Sequence, residues 1–76
     1  GDLVLIRRQK CAEDGQVVAA RVNDDEATLK RYKRQGDNVL LLPENPEFEP
    51  RIVPARDFEI GDAEIIGVAL EVRHSL

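Results

Sequence analysis

The sequence predicts an all-β domain, a meander, sandwich or small barrel, on three observations. Turn signals recur about every ten residues: Glu13-Asp14-Gly15, Asn23-Asp24-Asp25, Gly36-Asp37-Asn38, the proline-punctuated Pro43-Glu44-Asn45-Pro46, and Gly61-Asp62. The runs between them are short and rich in Val, Ile, Leu and Ala. No stretch sustains an apolar stripe at i, i+3, i+4 and i+7 over three turns, so no helix is expected.

Strands are expected over Asp2–Arg8, Gln16–Val22, Ala27–Arg34, Val39–Pro43, Arg51–Val53 and Glu64–Arg73. Val17-Val18-Ala19-Ala20 and Val39-Leu40-Leu41-Leu42 are nearly continuous apolar runs, the pattern of strands covered on both faces. The run Ala27–Arg34 differs. Successive side chains alternate across a strand, so Ala27 and Leu29 share one face while Thr28, Lys30 and Tyr32 share the other. The apolar run Ile65–Val72 reads as a core strand.

With 76 residues the chain holds one domain at most. A chain this short buries only ~60% of the surface its unfolded form exposes, which leaves it marginal alone. Apolar residues at 42% and charged residues at 34% suit a soluble globular domain. No apolar run approaches the ~20 residues of a membrane-spanning helix, and Gly1-Asp2 begins nothing like a secretory leader. The net charge of −4 weighs against nucleic acid as a partner of this segment, because phosphate binding needs a basic surface. The basic run Lys30–Arg34 is preceded by Asp24-Asp25-Glu26, so a mixed-charge surface is expected rather than a basic patch. The single cysteine, Cys11, cannot form an internal disulfide; it suits a reducing, cytoplasmic compartment and reads as a strand-end or loop residue. An immediate first strand and the lack of Met point to a piece of a longer protein.

Most site chemistries find no residues here. Ser75 is the only serine, Thr28 the only threonine and His74 the only histidine. His74 and Ser75 are neighbours, which on a strand point to opposite faces and cannot act as base and nucleophile. One His and one Cys do not make a metal site. Asp24, Asp25 and Glu26 read as a solvated turn. There is no Gly-rich phosphate loop, and no cofactor is expected. Lys30 has two readings. As a lysine it is by default a solvated charge. A lysine held among apolar groups instead has its charged form disfavoured and can serve as a general base, as in Ser–Lys dyads. Pattern alone does not choose between Lys30 and its three basic neighbours Arg31, Lys33 and Arg34.

A resemblance does. "ATLKRYKR", then "VLLLPENPEFEP", then "IIGVALEVR" resemble the C-terminal domain of LexA-type SOS repressors, within the self-cleaving Ser–Lys peptidase family that includes UmuD-type proteins and phage repressors. "GDLVLIRRQ" and "GQVVAARV" extend the similarity over the whole chain, and "LPENPEFEP" favours the LexA branch. The resemblance implies small, strongly bent sheets forming a partly open barrel or sandwich, as in signal peptidases. It implies that Lys30, the lysine of the "T-x-K-R" strand, is the general base. It implies that residues 1–76 are the peptidase and dimerisation domain of a repressor of the DNA-damage response. The nucleophilic serine, the scissile Ala–Gly bond and a helix-turn-helix domain that binds operator DNA would all lie upstream. A recombinase filament on single-stranded DNA would promote cleavage, and a homodimer would form through the last strand, around Gly67 to Val72. Without the cleavage loop, Lys30 would be more hydrated, and an unpaired strand edge or an apolar patch would be exposed. Two other readings stand beside this one: a UmuD-like or phage-repressor parent, and a non-catalytic β module that pairs strand edges with a partner.

Overall fold

Every turn signal lies at a junction between two elements of the computed structural model, which describes the backbone of residues 2–74 and the side chains of residues 5–70. The elements are β1 (Asp2–Arg8), β2 (Val17–Val22), β3 (Thr28–Gln35), β4 (Asn38–Leu42), β5 (Arg51–Pro54), α1 (Ala55–Ile60) and β6 (Ala63–His74). All six expected strands are present, each boundary within one residue of its expected place. The β3–β4 hairpin shows why turn chemistry locates strands so well. Gln35 pairs with Asn38, leaving Gly36-Asp37 as a two-residue loop, and Gly36 takes the positive φ of 59° that such a loop requires.

The strands form one antiparallel sheet in the order β1-β6-β2-β3-β4-β5. The two edges, β1 and β5, do not meet, so the sheet is bent but open. The bend has a local cause in β6. Its pairing slips between Leu5 and Ile6 of β1, which leaves Leu70 unopposed, and between Ala19 and Ala20 of β2, which leaves Ile66 unopposed. Each extra residue is a bulge that turns the strand and increases its twist. At the far edge β5 runs between Pro50 and Pro54, and proline offers no backbone donor to a further strand.

One expectation fails. Ala55–Ile60 is a helix, where none was expected. Six residues are too few to repeat an apolar stripe, so periodicity cannot show it. Its ends do carry signals: Pro54 stands at the N-cap with φ −57°, and Gly61 closes the helix in the left-handed conformation at φ 89°. Isolated, such a helix would be unstable. It is held because Ala55 and Phe58 pack against the core of the sheet.

That core is made of small aliphatic side chains on one face of the sheet: Val18, Ala20 and Val22 of β2, Val39 and Leu41 of β4, Val53 of β5, and Ala63, Ile65 and Val68 of β6. β2 is buried continuously from Val18 to Ala20, as its apolar run implied. β4 instead alternates, with Val39 and Leu41 buried and Leu40 and Leu42 half-buried. Val18 and Val53 are the largest fully buried side chains. Val18→Ala is expected to cost about 2 kcal/mol, from the lost burial plus an unfilled cavity, read as a lower urea midpoint with an unchanged slope.

Candidate functional site

β3 carries four basic residues, and its pairing sorts them. Arg31 donates from Nη1 to the Gly15 carbonyl at 2.6 Å and from Nη2 to Glu44 Oε1 at 3.3 Å. The Arg34 backbone N–H donates to Asp14 Oδ1 at 2.7 Å, and its Nε donates to the Gly36 carbonyl at 2.7 Å. Both arginines therefore pin the turns at either end of their hairpins. Lys33 is exposed on the same face as Arg31. Lys30 is different. It stands directly opposite Val18, which is fully buried, so it projects from the core side of the sheet and is itself half-buried.

The same register places Thr28 and Tyr32 on this inner face, with Tyr32 packed on the core. Leu29, which a simple polarity rule would turn inward, is on the outer face at 36% exposure. Each face of the strand carries two basic residues, Lys30 and Arg34 on the core side and Arg31 and Lys33 on the outer side.

Lys30 lines a cleft of about 210 Å³. Ala20, Val22 and Leu41 give it apolar walls, and Thr28 stands beside the lysine. Asp25 and Glu26, from the turn between β2 and β3, and Arg51 of β5 complete its lining. Arg51 Nη1 is paired with Asp25 Oδ2 at 3.1 Å. Among the described residues, the ion pairs are Arg21–Glu64, Arg31–Glu44 and Arg51–Asp25; none involves Lys30. A lysine amine without a carboxylate partner, set against apolar walls, can accept a proton or attack an electrophile.

Only the family resemblance singles out Lys30 in the sequence, and its setting is not legible there. Asp25 and Glu26 read locally as a solvated turn, and Arg51 carries no signal, because its partner Asp25 is 26 positions away. Cys11 is a free, exposed thiol in the loop after β1. Ser75 lies outside the described residues, as does the His74 side chain. Among the described residues, no three His, Cys, Asp or Glu side chains gather as a metal site, and no helix is long and apolar enough to cross a membrane. Two hollows of about 250 and 390 Å³ lie beside α1 and are both lined by Lys10, Phe58, Glu59 and Ile65. Neither combines a strand-borne base with apolar walls.

The described residues thus form an open antiparallel sheet with a half-buried lysine on an interior strand. The chain belongs to the Peptidase S24-like family, whose profile matches residues 1–70. It is similar to LexA repressors: 47% identical over 76 residues to that of Geotalea uraniireducens, covering 100% of this chain and 36% of that protein. It is 47% identical over 75 residues to the LexA repressor of Glaesserella parasuis, covering 99% of this chain and 34% of that protein. Against that of Gluconacetobacter diazotrophicus it is 51% identical over 55 residues, 72% of this chain and 22% of that protein. The chain thus spans about a third or less of the length of these curated relatives.

Proposed function

We propose that the chain is the C-terminal peptidase and dimerisation domain of a LexA-like transcriptional repressor of the SOS response, and that Lys30 is the general base of its self-cleavage. The observation that carries this reading is the position of Lys30: alone among the four basic residues of β3 it is half-buried, on the core side of the sheet in an apolar-walled cleft, with no carboxylate paired to it among the described residues. Family membership and the names of the relatives support the same reading.

In this mechanism a serine upstream of Gly1 enters the cleft beside Lys30. The neutral amine takes the hydroxyl proton as the serine oxygen attacks the carbonyl carbon of an Ala–Gly bond in the protein's own hinge. The ammonium then gives its proton to the departing amine, and water releases the acyl group from the serine. An N-terminal helix-turn-helix domain binds operator DNA, a recombinase filament on single-stranded DNA favours the cleavage-competent state, and the repressor acts in the cytoplasm.

Dimerisation through the last strand is refined by the pairing. Gly67 and Val68 are bonded to β1 on one side and β2 on the other, so they do not offer a free edge. From Ala69 onward β6 pairs with β1 alone among the described residues, and a second copy would add its strand along that side; of the expected contact, the side chains of Glu71 and Val72 lie outside the described residues. Ile6, Leu29 and Ile52 stand exposed on the face opposite the core, the kind of surface that further chain of a longer parent would cover.

The residues encoded upstream of Gly1 test this assignment directly. A serine shortly before Gly1, an Ala-Gly or Cys-Gly pair before that and a helix-turn-helix at the N-terminus are expected. A serine behind only a short arm would indicate a UmuD-like parent, and no serine at all would leave a strand-pairing module. The 76-residue chain itself is expected to take no label from a serine-directed phosphonate; stoichiometric labelling at Ser75 would contradict the assignment.

A further inference from the structure

The Lys30 cleft holds three other charged groups. Asp25 and Glu26 come from the turn between β2 and β3, and Arg51 comes from β5; the neighbouring β2 and β4 contribute only Ala20, Val22 and Leu41. Two carboxylates therefore share a small cleft with one lysine, yet neither pairs with it. Asp25 is instead engaged by Arg51 at 3.1 Å. The arrangement matters because a carboxylate beside a lysine stabilises the ammonium and withholds the lone pair a base requires, whereas a nearby guanidinium acts in the opposite sense. Arginine suits this task better than lysine would, since it stays protonated at every pH at which lysine titrates.

We propose that Arg51 is a positioning residue for Lys30: by holding Asp25 it keeps that carboxylate off the lysine, so that the amine stays unpaired and free to take a proton. The proposal rests on the reading of Lys30 as a base, and it concerns a residue outside β3 that no local pattern links to the site. The Asp25–Arg51 pair is itself half-exposed, with side-chain exposures of 62% and 50%. Its effect on Lys30 is therefore modest and graded.

The test is competitive acylation of lysines with trace acetic anhydride in the full-length protein, read by peptide mapping from pH 7 to 11. Lys33, exposed on the opposite face of the same strand, is the internal reference. Arg51→Ala frees Asp25 and is expected to slow Lys30 acylation at pH 8 about three-fold relative to Lys33, with the profile moved to higher pH. Adding Asp25→Asn to that variant is expected to restore the wild-type rate, although the ion pair is equally absent from both. Arg51→Lys is expected to retain most of the wild-type rate. Unchanged or faster acylation in Arg51→Ala would overturn the proposal, as would a double variant that stays slow, because loss of local structure would slow both. Acylation reports on the amine whether or not the protein cleaves itself, so this result is separate from the fate of the Lys30 assignment.

Discussion

In the full-length protein, Lys30→Ala is expected to abolish self-cleavage at alkaline pH and to leave the protein folded and dimeric. A positioned general base contributes about 10²- to 10⁴-fold, and the serine hydroxyl is a weak nucleophile without one. The fold should tolerate the change. Lys30 is half-buried and forms no ion pair among the described residues, so its removal strands no buried partner. The loss of β propensity in exchanging lysine for alanine is below about 1 kcal/mol. Lys30→Arg is the informative companion. It keeps the positive charge but cannot surrender its proton in the accessible range, so it too should be inactive. Cleavage is followed as loss of intact chain over time at pH 9 to 10, with melting and sedimentation as controls. Normal cleavage by either variant would remove Lys30 from the mechanism.

Gly67→Val is expected to be the most damaging single change to the fold. A Cβ on Gly67 would stand 2.5 Å from the Arg7 carbonyl oxygen and 2.5 Å from Ile6 Cγ2. Gly67 pairs with Arg8 of β1 and Ala19 of β2 and is buried between them. One obstacle is backbone, so rotating a side chain away does not relieve the clash; β1 must lift from β6. Overpacking of this kind costs roughly 1–3 kcal/mol, occasionally more. A domain of this size loses about 4–8 °C in Tm per kcal/mol, so a fall on the order of 10–20 °C is expected for valine and a smaller one for alanine. Hydrogen exchange should show the amides shared by β1 and β6 losing protection first. A valine variant that melts like the wild type would show that β1 does not cross Gly67 in this way.

These two positions were visible in the sequence to very different degrees. Gly67 lies inside the apolar run Ile65–Val72, where nothing local distinguishes a required glycine from a tolerated one. Its constraint comes from Ile6 and Arg7, some sixty positions earlier, brought across it by the β1–β6 register. Lys30 stood out only through resemblance to a family; as a pattern, it was one of four basic residues in five positions.

What the sequence determined by itself was the set of strands. Turn residues such as Gly36-Asp37 and the period-two alternation of side chains are local properties, and local properties placed every strand boundary within one residue. The helix α1 escaped because six residues carry no period, and because Phe58 and Ala55 hold it against a core built from distant strands. The tertiary structure alone decided which face of β3 is inside. Alternation separates Lys30 from Leu29 but does not say which of them meets the core. That followed from pairing Lys30 opposite Val18, after which Leu29 was left outward and the lysine was left among Ala20, Val22 and Leu41. It decided the electrostatics of the cleft as well, since Asp25 and Arg51 meet only when β5 takes its place beyond β4. Direction along a strand is a matter of the chain's own geometry, whereas inside and outside are properties of the sheet as a whole.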